Sequence, residues 1–174
     1  MFALLLLATI CSAKTYPLTI TSCNTTAPVI IHTLTVQPDN PINLKTGFTM
    51  NMDIEITKPI EKAKLSLVFE KDVLFWVTIP CANNVGSCTY ENVCDILANV
   101  TDKCMNATRS RGYDNVPCSC PIAANRFVAT IPVPTIEVPS KYAWLASGNY
   151  KIHLEMSDDG NNLACYDVKF SLTV

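Results

Sequence analysis

Eight cysteines follow the first thirteen residues of this chain, and they constrain its fold more than any other feature: Cys23, Cys81, Cys88, Cys94, Cys104, Cys118, Cys120 and Cys165. An even count matters most in a chain that leaves the reducing cytosol, and the opening residues read as an export signal. Met1 to Ile10 is apolar throughout except for Thr9. That run is too short to cross a bilayer, and Cys11-Ser12-Ala13 supplies the small residues of a cleavage site. No Lys or Arg precedes the run, so the signal rests on the apolar segment and the cleavage pattern. Residues 1–13 are therefore expected to be a signal peptide and 14–174 a single domain in the secretory pathway, destined for the lysosome or the extracellular space. Disulfides persist there, and four are expected.

Eight cysteines permit on the order of a hundred pairings, so spacing alone leaves the map open. Cys118 and Cys120 are too near one another to bond readily. Cys81 and Cys88 enclose a small loop containing Gly86, and Cys23 and Cys165 would tie the first strand region to the last. Zinc is the rival use of cysteine, disfavoured by export and by the lack of paired Cys-x-x-Cys elements. No metal or other cofactor is expected. The formal charge of −2 and a pI near 5.6 argue against nucleic acid as a partner. Only 16% of residues are charged, against about a quarter in ordinary globular chains. Such a deficit suggests an unusually apolar interior or a surface that meets something greasy. Three glycosylation sequons begin at Asn24, Asn99 and Asn106; if used, each marks solvent-facing surface.

Period-two alternation is the main structural signal. Met50, Met52, Ile54 and Ile56 alternate with polar residues, as do Ala63, Leu65, Leu67 and Phe69; Tyr150, Ile152, Leu154 and Met156; and Tyr166, Val168, Phe170, Leu172 and Val174. This pattern puts one face of each strand indoors and the other in water, as in antiparallel sheets. Further strands are expected at about 30–37, 74–79 and 126–138, with turns at 38–41, 58–59 and 158–161. A short helix over 91–98, with Thr89 as its cap, is expected inside an otherwise loop-like, cysteine-dense block from Cys81 to Cys120. The fold class is all-β: a single-domain antiparallel sandwich or cup.

Catalytic apparatus is hard to find. His32 and His153 are the two histidines, both on strand-like runs, and a lone strand histidine is more often structural than catalytic. There is no Gly-x-Ser-x-Gly elbow, no His-Glu-x-x-His and no glycine-rich phosphate loop. The apolar positions say more. Val73-Leu74-Phe75-Trp76-Val77 breaks the alternation, and Tyr142-Ala143-Trp144-Leu145 lies in loop-like sequence. Each tryptophan is either a core plug or part of a lip that meets lipid, since indole favours the apolar–polar boundary. Met50, Met52, Ile54, Leu65, Leu67, Phe69, Leu154 and Phe170 could wall a cavity or fill a dry core, and methionine suits either.

Several stretches resemble one known family: Ile79-Pro80-Cys81 through Gly86-Ser87-Cys88-Thr89, Val93-Cys94-Asp95-Ile96-Leu97, Val116-Pro117-Cys118-Ser119-Cys120-Pro121, and Trp144-Leu145-Ala146-Ser147-Gly148-Asn149-Tyr150. They are similar to the ganglioside activator family, part of the wider ML-domain lipid-recognition group, over nearly the whole chain beyond the signal. The resemblance implies an antiparallel β-cup with an apolar cavity and one short helix. It implies a non-enzymatic protein that lifts a glycosphingolipid or other two-chain lipid from a membrane and presents its sugar to a lysosomal β-hexosaminidase. It also implies the pairs Cys23–Cys165, Cys81–Cys88, Cys94–Cys120 and Cys104–Cys118, and a place at the cavity mouth for Trp76 and Trp144. The sequence departs from the family at the lip: the turn before Trp76 is one residue short, Lys141-Tyr142-Ala143 is inserted, and Thr19-Ile20-Thr21-Ser22 stands where vertebrate members carry a tryptophan. A secreted recognition protein of defence or signalling, binding a lipid or a receptor, is the alternative reading. A small hydrolase using His32 or His153 is the third.

Overall fold

The structure, a computed structural model, describes residues 14–109 and 116–174, without the side chains of 100, 103, 107–109 and 141–143. The expected signal segment 1–13 lies outside the described residues. Ten strands form in chain order: β1 (Thr19–Ser22), β2 (Val29–Gln37), β3 (Ile42–Asn43), β4 (Phe48–Ile56), β5 (Lys64–Asp72), β6 (Trp76–Thr78), β7 (Thr89–Tyr90), β8 (Asn125–Val133), β9 (Gly148–Asp158) and β10 (Asn161–Thr173). One sheet runs β1-β10-β9-β5-β6, with β3 pairing β10 and β7 pairing β5; the other runs β2-β4-β8. Among the described residues the pairings of these strands are antiparallel except that of β3 with β10. The expected all-β architecture is therefore the observed one.

Register assigns the faces. Across the large sheet, Leu67 sits opposite Leu154 and Leu154 opposite Tyr166, while Phe69, Ile152 and Val168 form the next row. In the small sheet, Met52 lies between Leu34 and Ala129, and Ile54 between Ile31 and Phe127. Directly opposed residues share a face, so the apolar halves of both sheets look toward each other. Lys, Asp, Glu and Thr occupy the outer faces. Two such layers can meet only through their apolar sides.

They close at one end. Ile56, Ile60, Ala63 and Phe127 form a buried cluster, with Val29, Val93, Ile122, Met156 and Leu163 packed against it. Ile56, Met156, Val29, Phe127 and Leu163 come from the last residues of β4 and β9 and the first of β2, β8 and β10, while Ile60, Ala63, Val93 and Ile122 come from the adjoining connections and the helix that follows β7. Ile60 and Ile122 exchange backbone hydrogen bonds of 2.9 and 2.8 Å across the same end. Along one side, the Tyr166 hydroxyl spans from the large sheet to the edge of β2. It donates to the Val29 carbonyl at 2.9 Å and accepts from the Ile31 amide at 2.8 Å.

The helix is longer than expected and starts later. α1 runs Val93–Arg109; Thr89 belongs to β7, and the cap is Asn92, whose Oδ1 accepts from the Cys94 amide at 3.1 Å. Asn99, Thr101, Asp102, Asn106 and Thr108 are weak helix formers, so intrinsic propensity understates this element. Tertiary bonds hold it instead: Cys94–Cys120, Cys104–Cys118, and the Thr101 hydroxyl on the Cys118 carbonyl at 3.0 Å. Cys23–Cys165 and Cys81–Cys88 complete the four bridges. Two strands are shorter than expected. β6 begins only at Trp76 because Val73 to Phe75 make the turn, and β8 stops at Val133, before Pro134.

Candidate functional site

Between the closed end and the far edge, the inward faces are not packed solid. Met50, Met52, Ile54, Leu65, Leu67, Phe69, Leu154 and Phe170 are each only half-buried, though every one points away from the outer polar surface. Ile152, Val168 and Leu34, which the sequence reading did not name among the wall residues, share that face and that exposure. A filled sandwich core would bury such side chains almost completely. These apolar side chains thus keep part of their surface accessible.

At the open end one aromatic residue organises the rim. Tyr150 is 0% exposed and stacks between Phe69 and Phe170, with ring centroids 5.3 and 5.6 Å away. Burial pushes its phenol up to about 12, so it stays a donor. It donates to the Leu145 carbonyl at 2.7 Å, with the Ser147 carbonyl 3.3 Å away. The Lys71 ammonium donates to the Trp144 carbonyl, and burial lowers the Lys71 pKa. Two donors thus fasten the end of the 3₁₀ turn Ser140–Leu145, which carries Trp144. Gly148 makes room for this: it sits at φ +140, and a Cβ there would lie 2.9 Å from Lys71 Cε. Tyr150→Phe should cost about 1–3 kcal/mol, because a half-buried carbonyl loses its donor. Urea unfolding would measure it, and a change below about 0.5 kcal/mol would contradict the assigned role.

The rim is unusually apolar. Leu74 is 97% exposed, Phe75 69% and Trp144 58%, with Val73 beside them. Leu74 also stands at φ 142, a region costly to any residue but glycine. Trp144 is therefore no core plug. Trp76 is not at the inner rim: register places it opposite Asp72, on the outer face. Its ring lies half-buried beneath the Lys151 ammonium, 4.0 Å from centroid to nitrogen, with Lys169 at 5.6 Å. The turn that turns Leu74 and Phe75 outward sets this parity, which hydropathy does not reveal. Leu145 is half-buried, and the Tyr142 side chain lies outside the described residues.

The histidines have structural partners. His32 Nε2 meets Glu55 Oε2 at 2.7 Å, and His153 Nδ1 meets Asp167 Oδ1 at 2.8 Å. The Asp167 hydrogen bond raises the His153 pKa above 6.5, with partial burial opposing and Glu155 reinforcing it. Stability from this pair is fully present below about 6.5 and disappears as pH rises through the elevated folded value. The stability difference between the parent and His153→Gln should accordingly be largest near pH 5 and shrink above neutrality. A difference that grows with pH in thermal melts would contradict it. His153 also lies close to the sulfurs of Cys23 and Cys165, but those are bonded to each other and cannot serve as thiolate ligands. The outer face carries a groove of about 460 Å³ lined by Glu70, Lys151, His153, Asp167 and Lys169 among others. Charged side chains of both signs meet there beside Thr19 and Thr21.

Comparison with known proteins adds the following. The ML-domain family model matches residues 17–172. The ganglioside GM2 activator of Mus musculus is 34% identical over 153 residues, covering 83% of this chain and 76% of that protein. That of Macaca fascicularis is 33% identical over 155 residues, covering 83% and 77%. Chicken MD-1 complexed with lipid IVa aligns over 93% of this chain and 95% of its own at 14% identity, with a TM-score of 0.42, a loose likeness.

Proposed function

The chain belongs to the ML-domain family, and on that premise we propose that it is a lipid carrier. It lifts glycosphingolipids, or other two-chain lipids, out of a membrane and presents their sugars to a β-hexosaminidase-like glycosidase, performing no bond chemistry itself. The observation that carries this reading is that the facing apolar side chains of the two sheets stay half-exposed away from the buried cluster at one end. The relatives named as ganglioside GM2 activators support the same class.

The energetics require such a hollow. Two acyl chains expose on the order of 30 methylenes in water, at about 0.8 kcal/mol each, or roughly 25 kcal/mol in all. A flat surface patch cannot offset that. In a cup, the chains pass from bilayer to apolar wall at little net cost, and the sugar stays outside for an enzyme to reach. Met50 and Met52 suit a wall that must accept chains of differing shape, because the thioether side chain re-packs readily.

The exposed rim supplies the encounter. Leu74, Phe75 and Trp144 enter the headgroup boundary, where indole and phenyl groups are favoured. The lipid then moves past Tyr150 and Phe69 into the hollow. No helix among the described residues is long and apolar enough to cross a membrane, consistent with a transient, peripheral visit. The four disulfides fit work in the secretory pathway, in lysosomes or outside the cell.

Solvent extraction and native mass spectrometry of the purified protein test the carrier role. Stoichiometric two-chain lipid is expected, and addition of protein to a β-hexosaminidase should accelerate cleavage of a membrane-embedded glycolipid but not of a water-soluble substrate. Lipid-free protein that also fails to take lipid from vesicles would rule the reading out. Bound lipid without acceleration would leave the carrier and remove the glycosidase.

A further inference from the structure

Two of the three sequons lie on one pole of a single helix, and that helix sits at the closed end of the cup. On α1, residues seven apart differ by only about 20° around the axis, so Asn99 and Asn106 point the same way. Cys94, Leu97, Thr101 and Cys104 make the opposite stripe, centred about half a turn away. That second stripe is half-buried and tied to the body through both bridges, while Asp95, Asn99, Asp102 and Asn106 are exposed. The helix is pinned beside the packed end: the Val93 amide donates to the Ala63 carbonyl at 2.7 Å, and both bridges run to Cys118 and Cys120, just before Ile122 pairs with Ile60. The nine residues of β5 separate Ala63 from the exposed Leu74 turn, a span of about 30 Å.

Asn99 Nδ2 donates within its own helix, to the Asp95 carbonyl at 2.9 Å; Asn24, by contrast, is half-buried and tied to the distant strand β10. Its Nδ2 donates to Asn162 Oδ1 at 2.9 Å, and its Oδ1 accepts from both the amide and the hydroxyl of Thr26 at 3.0 and 2.9 Å. The side chain closes a turn next to Cys23, whose sulfur bridges to Cys165. The amide oxygen and one of the two N–H groups are thus committed within the fold.

We propose that Asn99 and Asn106 both carry N-linked glycans, forming a carbohydrate face over α1, and that Asn24 serves the fold unmodified. The donor is a polyprenyl-diphosphate-linked oligosaccharide. The side-chain nitrogen bonds to C1 of the first sugar as the C1–O bond breaks, the polyprenyl diphosphate departs with that electron pair, and one amide proton is released. Two bulky hydrophilic groups at the closed end bar α1 from membranes and partners while leaving the rim of Leu74, Phe75 and Trp144 bare. The glycans thereby favour approach by the open end. The proposal rests on export through a secretory pathway and is independent of which lipid is carried.

The full chain, secreted from a eukaryotic host, is digested with peptide N-glycanase and mapped by peptide mass spectrometry. Two glycans are expected; Asn99→Gln and Asn106→Gln should each remove one, and Asn24→Gln should keep both while lowering the unfolding midpoint. The double variant should retain lipid uptake from vesicles within about twofold. Secreted protein bare at Asn99 or Asn106, a glycan on Asn24, or a chain retained in the cell without glycans overturns the proposal. So does a folded double variant that no longer takes up lipid, since α1 would then lie on the lipid's path.

Discussion

Replacing Leu74 and Phe75 together by serine is expected to weaken vesicle binding by about 100-fold or more while leaving the fold unchanged. Each side chain is worth about 1.5–3 kcal/mol when moved from water into an apolar medium, and 1.4 kcal/mol is a factor of ten. Neither side chain supports the core, since Leu74 is 97% and Phe75 69% exposed. A leucine at φ 142 costs about 1–3 kcal/mol and gains no packing inside the molecule to offset it. Its benefit must come from outside. Leu74→Gly separates the two contributions: it should relieve the backbone, leave stability level or raised, and still weaken vesicle binding about tenfold by loss of the side chain. Flotation with neutral and anionic vesicles, together with urea unfolding, measures both. Unchanged binding in the double variant would mean that another surface meets the membrane.

The Cys23–Cys165 bridge should carry the largest share of stability in the chain. It closes a sequence separation of 142, for which chain-entropy reasoning gives about 5 kcal/mol. Cys81–Cys88 closes only 7, and the same reasoning gives about 2.5 kcal/mol. Whole domains of this size are stable by about 5–15 kcal/mol. The Cys23→Ala/Cys165→Ala variant should therefore unfold at markedly lower urea than Cys81→Ala/Cys88→Ala. The longer bridge also fastens β1 to β10, beside the Tyr166 hydroxyl that reaches β2, so its loss should loosen the side of the cup. Equal costs for the two removals would show that local geometry, not chain length between cysteines, governs stability.

Alternation made the strands legible. Residues 50–56 and 150–156 declare their faces because a half-buried strand needs apolar side chains at every second position, and β4 and β9 contain both runs. The cysteine count and the export signal called for four bridges, and the family resemblance supplied the pairs that the structure contains. The length of α1 was not legible. Asn and Asp, poor helix formers, fill its outer pole, and the bridges that hold it come from Cys118 and Cys120, whose arrival local sequence does not encode.

Local preference thus determined which segments are strands and which of their faces are apolar. It did not decide whether those faces touch. That depends on the distance between sheets, set by the plug of Ile56, Ile60, Ala63 and Phe127 at one end and by Tyr166 along one side. Tertiary structure likewise put Trp76 under Lys151 on the outside while leaving Leu74, Phe75 and Trp144 at the rim. The parity of a strand after a turn follows from backbone geometry and pairing register, and neither is written in the hydropathy of the residues concerned.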